Sequence, residues 1–336
     1  MNARYLLVSA TLVTFLTGCG TVRSAANAPA PIESLYQTRL FGSEEGRPLP
    51  LATLASLLRD ADVVFIGEIH GHNGAHLFQS RLQLALHGLR PRQVLSMEQF
   101  SVDHQDSLNA YLAGEIGEAE LIEQADAWPN YRASYRPLVE FARRNDLPVI
   151  AANAPPDIVR CVAREGAGYL ERLEGGHQKL VPEEPFYSEE GYREKFAATM
   201  ESGGHGVMDG ETTRRLLKAQ LLRDNTMAYS IQRAHLDHPG HQIIHVTGRF
   251  HSEEGLGAPA ALAHRNPNLK IRIVTPVIAD DPDKPAPSAA DLTQGDFVYL
   301  LQPLPPEYID PERRKAGMEA HFAPSSGPGC GEKDNH

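Results

Sequence analysis

The chain of 336 residues is 41% hydrophobic, enough to fill the core of one large domain or two small ones. Its 43 acidic and 32 basic side chains leave a net charge of −11, which makes nucleic acid and anionic lipid poor partners for the body as a whole. Three cysteines are too few to imply a disulfide framework, although an oxidising compartment would permit a bridge.

The N-terminus carries an early positive charge at Arg4, an apolar run from Tyr5 to Leu16, and then Leu16-Thr17-Gly18-Cys19. That is the order of a secretory signal, and the run is too short for a comfortable membrane span. Cys19 directly after Leu-Thr-Gly resembles the lipobox of bacterial lipoproteins. The resemblance implies a signal peptide over 1–18, cleaved before Cys19, and lipid such as palmitate on that cysteine. Several acyl chains on one residue anchor firmly by burying methylenes. Gly20 rather than Asp follows, which by the same likeness points to the outer membrane, with the domain on its periplasmic side. Residues 19–35, rich in Ala, Pro, Ser and Asn, read as a lipidated flexible tether.

A single folded domain is expected over 36–305 and a disordered tail over 306–336, where Pro, Gly and charge dominate. The first strand is Val63-Val64-Phe65-Ile66, ending at Gly67-Glu68, and an amphipathic helix follows from near Gly74 to Leu89. A second strand, Val94 to Met97, ends at Glu98. Helical patterns then cover 103–113, 118–125 and 135–144. A third strand, Pro148 to Ala152, ends at Asn153, and a helix runs from Pro156 to about Glu165 with Cys161 on its buried side. The stretch 175–210 is polar and glycine-rich, with one helical patch over 192–200, and reads as an insertion. A long helix over 211–236 leads to a fourth strand, Gln242 to Val246, ending at Thr247-Gly248. Two more strands lie at 271–274 and 297–300, and Cys330 is expected exposed in the tail. Near-continuous apolar strands separated by helices indicate an α/β fold. Its mostly parallel central sheet is flanked by helices, with a helical and loop insertion around 165–236.

In such sheets ligands bind outside the carboxyl ends of the strands. Those ends carry Glu68, His70 and His72, with His76 and Gln79 on the next helix, then Glu98, Asn153, and His251 of Gly248-Arg249-Phe250-His251. Carboxylates beside imidazoles bind a metal, transfer protons, or hold one another in place. Glu68 and His70 flank one residue, so an extended segment points both the same way. Singly, Glu98 reads as a solvated or capping group and His251 as a satisfied histidine; four such strand ends in one sheet read as a site. No Gly-x-Gly-x-x-Gly or Lys-Ser/Thr phosphate loop, Gly-x-Ser-x-Gly elbow, His-Glu-x-x-His helix or Cys-x-x-Cys pair is present. The run His235, His238, His241 and His245 reads as a helix end, a loop and one strand residue rather than a metal site.

Several segments together resemble the ChaN-like haem-binding lipoproteins, from about Leu57 to Val277. They are Val64 to His70 with His76 and Gln79; Leu95 to Phe100 with Gln105, Trp128 and Tyr135-Arg136-Pro137-Leu138; Pro148 to Pro155 with Arg160; Ala219-Gln220, Arg223-Asp224 and Met227-Ala228; and Gly248 to His251. The resemblance implies haem held at a surface between two subunits of a homodimer, with a tyrosinate iron ligand suited to ferric haem. Basic or imidazole groups would meet the propionates. Tyr135 matches a family position, Tyr131 and Tyr187 are further candidates, and His205 in Gly203-Gly204-His205-Gly206 could reach a ligand. The implied role is haem and iron acquisition, with a haem-uptake receptor as a further partner.

The fold also resembles a wider group with the erythromycin esterases and the TraB/Tiki proteins, some of them metal-dependent hydrolases or proteases. On that alternative, Glu68, His70, Glu98 and His251 bind a divalent metal or activate water. Two departures stand out: Gly71-His72-Asn73 where the family often has Asp-Asn, and Pro156 where it often has Arg. An envelope protein for another apolar ligand would share the same fold and anchor.

Overall fold

The computed structural model describes residues 29–202, 210–321 and 330, so the signal segment, Cys19 and His205 lie outside the described residues. In chain order, β1 (Arg39–Gly42) and β2 (Arg47–Leu49) form a hairpin, followed by α1 (Leu51–Leu58), β3 (Val63–Glu68) and α2 (Asn73–Leu89). Next come β4 (Gln93–Ser101), α3 (Gln105–Ala113), α4 (Glu118–Gln124), α5 (Tyr131–Ser134), α6 (Arg136–Arg144), β5 (Val149–Asn153) and α7 (Pro156–Glu165). The chain continues through α8 (Tyr192–Ser202), α9 (Gly210–Asp237), β6 (Gln242–Gly248), α10 (Ala258–Arg265), β7 (Ile271–Ile278), β8 (Phe297–Leu301) and α11 (Pro311–His321). The sheet order is β2-β1-β8-β7-β3-β6-β4-β5. The run from β8 to β5 is parallel throughout, and the β1–β2 hairpin adds an antiparallel edge. The α/β expectation therefore holds, and the hairpin is an addition that strands of four and three residues gave no periodic signal for.

Alternation along β3 shows why its sequence is apolar at every position. Val64 and Ile66 pack with Leu54 and Leu58 of α1 and Phe78, Leu82 and Leu86 of α2. Val63 and Phe65 pack on the other face with Met227 and Ile231 of α9 and Leu262 of α10. Period-2 side chains with both faces covered leave no polar side to the strand. Side chains such as these each contribute about 1.5–3 kcal/mol on burial.

α9 is an integral layer of the fold rather than the end of an insertion. Its buried stripe of Leu217, Leu221, Ala228 and Ile231 lies against the sheet and the neighbouring helices. The folded body also begins earlier than residue 36. Ile32 is buried with Phe41, Val277 and Val298, and its backbone N–H donates to Pro282 O at 2.7 Å.

Two local devices finish the sheet. His72 caps α2, accepting from Gly74 N through Nδ1 at 3.1 Å while Nε2 meets Gln302 O at 2.9 Å. Position 74 is glycine because a Cβ there would fall 2.6 Å from Leu35 O. At the far edge, the Gln105 amide covers β5: Nε2 donates to Val149 O at 2.9 Å and Oε1 accepts from Ala151 N at 2.7 Å. The outer edge of this last strand is thus met by a side chain instead of by another strand.

Two expectations about the tail change. Pro311–His321 is helical, and Cys330 is bonded to the buried Cys161 of α7 with 5.5 Å between their Cα atoms. The cross-link closes a separation of 169 residues and so restricts the unfolded chain. Replacing Cys161 with Ser should lower the unfolding free energy by about 2–4 kcal/mol. Denaturant melts with and without reductant check this: the wild type should lose stability on reduction and the variant should not respond.

Candidate functional site

The parallel register brings β3, β6 and β4 side by side, and their carboxyl ends carry the ionisable residues. Glu68 is level with Gly248 in the β3–β6 ladder. Beyond Met97 the β4–β5 register shifts, so Glu98 emerges from regular pairing beside Thr247 and Gly248. The two carboxylates lie on opposite faces of the sheet. Glu68 shares the side of Val64 and Ile66 and meets α2, whereas Glu98 meets the side held by α9.

Each carboxylate is buried and each is fully engaged. Glu68 Oε1 accepts from Tyr135 OH at 2.6 Å and pairs with His70 Nδ1 at 2.7 Å, while Oε2 accepts from Gln79 Nε2 at 2.7 Å. His76, hydrogen bonded to Gln79 at 3.2 Å, completes that side, and burial lowers its pKa below the usual imidazole value. Glu98 Oε2 accepts from Thr247 Oγ1 and from Gly248 N, both at 2.6 Å. Its Oε1 lies 3.5 Å from His251 Nε2. His251 Nδ1 meets Asp224 Oδ1 at 2.7 Å, and Tyr192 of α8 donates its hydroxyl to the same Asp224 carboxylate. A buried acid needs such partners, because desolvation otherwise favours its neutral form.

The charges follow from these contacts. Burial alone would raise the Glu98 pKa, but the charges on His251 and His70 and the Thr247 hydroxyl overcome it and hold the group at about 2. Burial works against protonated His251, yet the Glu98 and Asp224 charges raise its pKa above the ordinary value. His70 behaves alike: burial lowers, but the hydrogen bond and charge of Glu68, with the charge of Glu98, raise it.

His70 joins the two halves. Its ring is half exposed, and it packs edge-on against Trp128 at 5.0 Å between centroids. Gly248 makes room for it: a Cβ there would fall 2.8 Å from His70 Nε2 and 3.6 Å from Glu98 Oε2.

The tyrosines expected to meet iron are elsewhere engaged. Tyr135 is fully buried and committed to Glu68; Tyr131 is buried in the cluster with Phe100 and Leu121. Burial raises the pKa of both phenols, Tyr135 further through the Glu68 charge, so neither presents a phenolate at the surface. Tyr187 stacks on His264 at 3.8 Å and bonds Glu189, away from the strand ends. Asn153 folds back onto Ala154 N at 2.9 Å. His245 is buried against Ser96 at 2.9 Å, apart from His238 and His241, so that run is dispersed as expected. Glu68, His70, Glu98 and His251 do not converge as one ligand set. They form two His–carboxylate pairs across the sheet, and no group of three or more metal-ligating side chains has metal-binding geometry among the described residues.

Asp224 and Tyr192 are site residues that no strand-end motif announces. Asp224 carries a signal nonetheless: it interrupts the buried stripe of α9 at the spacing of Leu217, Leu221, Ala228 and Ile231, and a lone acid on an apolar stripe needs a buried partner.

Two predictions follow from this geometry. Gly248 has an ordinary φ of −55°, so Gly248→Ala tests space alone; it should displace the His70 ring and destabilise by about 1–3 kcal/mol. The His70 imidazole resonances and a denaturant midpoint read both effects. Because Glu98 drops from 4.5 to about 2 on folding, its ionisation stabilises the fold above pH 4.5 and that contribution fades as pH falls toward 2. It is worth about 3 kcal/mol. Glu98→Gln should lower stability at neutral pH and flatten this acid limb in melts taken across the range.

Comparison with known proteins follows the same outline. The family described as "Haem-binding uptake, Tiki superfamily, ChaN" matches residues 54–262. A structure described as cofacial haem binding to ChaN of Campylobacter jejuni superposes with a TM-score of 0.62 at 16% identity, covering 79% of this chain and 97% of that one. An erythromycin esterase mutant in its open conformation gives a TM-score of 0.41 at 14% identity, covering 83% and 86%. RETICULATA-RELATED 5 of Arabidopsis thaliana, a chloroplastic protein, is 28% identical over 192 residues. Those residues are 54% of this chain, which spans only a quarter of that relative's length. With an α/β sheet of this order and a matched region covering most of its helices and strands, the chain belongs to the ChaN family of haem-binding uptake proteins within the Tiki superfamily.

Proposed function

We propose that this chain binds haem at the carboxyl edge of its sheet, as an outer-membrane lipoprotein of haem and iron acquisition. The observation that carries the haem reading is the state of His70. It is half exposed, where Tyr135 and Tyr131 are sealed, and its Nδ1 is tied to the buried Glu68. A ligating imidazole is characteristically oriented in this way by a carboxylate on its other nitrogen. The iron is therefore assigned to His70 rather than to a sealed tyrosine. Arg223, whose charge reaches His70 and His251, and the exposed Arg249 are cations that propionates can meet. Bound haem would supply iron as cargo or redox centre; the chain's own part is to hold the imidazole, exclude water behind it and match the charge.

The envelope assignment has support besides the lipobox. Cys161 and Cys330 are paired, which fits an oxidising compartment, and Cys19 is the third of the chain's three cysteines. Metabolic labelling with palmitate should mark the wild-type chain and not Cys19→Ala.

Titration of the purified protein with hemin tests the haem reading. A saturable Soret band at low stoichiometry is expected, abolished or strongly shifted by His70→Ala and retained by Tyr135→Phe. No saturable band, or one that survives His70→Ala unchanged, would sink it. A second reading, hydrolysis without a metal, draws on His251 held between Asp224 and Glu98. It requires ester or peptide turnover that disappears in His251→Ala while hemin binding is kept.

A further inference from the structure

The outer surface of α2 combines features that nothing in the haem site uses. Leu77 and Leu84 are seven residues apart on this helix, hence on one face, and are 37% and 57% exposed. Arg81 stands between them on the same face. Leu77 and Arg81 also line a cavity of about 450 Å³ with Pro29, Tyr36 and Leu51, and Tyr36 is 60% exposed. The charge here opposes that of the molecule. From Ile69 to Met97 there is no Asp or Glu, only Arg81, Arg90 and Arg92, in a chain whose net charge is −11.

We infer that this face of α2, with Tyr36, rests on the lipid bilayer. The inference depends on the lipoprotein reading of Cys19. Ten positions separate Cys19 from Pro29, and Pro29 itself lines the cavity at the rim of α2. An extended chain of that length reaches at most about 36 Å, and α2, at 17 residues, is about 25 Å long. The anchor therefore lies within that reach of Pro29, at the rim of this face. A bilayer also suits its composition: exposed leucines and a tyrosine enter the interface, and arginine meets lipid phosphate. The acidic remainder is repelled by anionic headgroups, so α2, a helix without an acidic residue, is the element that can turn toward them. The strand ends that carry His70 are set by the start of α2, so membrane contact along α2 would fix the direction in which the haem site opens.

Photo-crosslinking of the full-length acylated chain tests this, in vesicles of phosphatidylethanolamine and phosphatidylglycerol. Benzoylphenylalanine is placed at position 77 or 84, or at 229 or 236, where Tyr229 and Leu236 are exposed on α9 instead. Intact mass reports Cys19 acylation in the same samples. Phospholipid adducts at 77 and 84, absent at 229 and 236, are expected, and Arg81→Glu should reduce the adduct at 77. Equal labelling at all four positions, no lipid adduct at 84, or a cross-link at 84 to a second copy of the chain would overturn the inference. Acylated Cys19 without an adduct at 84 refutes this face alone. An adduct at 84 on a chain lacking acylation refutes the lipoprotein reading and leaves the face standing.

Discussion

Removing a carboxylate from water is costly, and this fold does it twice at neighbouring strand ends. Glu68 and Glu98 are both almost wholly buried, and among the described residues neither is neutralised by a lysine or arginine in direct contact. Compensation comes from hydroxyls, amides, a backbone N–H and imidazoles. Most of the irregular features at this edge exist to supply them. The shifted register of β4 brings Glu98 to Gly248 N, α6 begins where Tyr135 can reach Glu68, and α9 sacrifices one stripe position to Asp224. Breaking one such contact would leave a buried charge only partly satisfied.

The sheet itself sits between the two carboxylates, and this gives each half a distinct task. On the α2 side, Glu68 directs an imidazole that remains open to solvent. On the α9 side, Glu98, His251, Asp224 and Tyr192 form a closed chain with little access. Lys195 of α8 reinforces the closed half by donating to Phe250 O at 2.7 Å and Glu253 O at 3.0 Å, so the turn bearing His251 is clamped from its outer side. The edge thus presents one half-exposed imidazole beside a buried chain of acids and histidine.

Much of this was legible in the sequence, for physical reasons that differ by element. The parallel strands announced themselves because burial on both faces demands continuous apolar runs, as in Val63 to Ile66. The strand-end residues were legible by the same token, since polarity resumes where the sheet stops. Which of them touch was not. Glu68 and His70 pair through local spacing, but the separation of Glu68 from Glu98 depends on which helix covers which face, a property of topology. Tyr135 looked available as a ligand because nothing local says that its hydroxyl will be needed 67 residues away. Cys330 had no periodic context at all, so its bond to Cys161 could not be anticipated.

The Gln105 amide along β5 has a consequence for the molecule among its neighbours. A parallel sheet ends in a strand whose peptide groups invite another strand, and repetition of that event makes filaments. Gln105 places one donor and one acceptor where the next chain's backbone would sit, and so terminates growth from within the same polypeptide. Copies that meet at the β5 edge find one donor and one acceptor already taken, and association there is left to side chains rather than to the backbone.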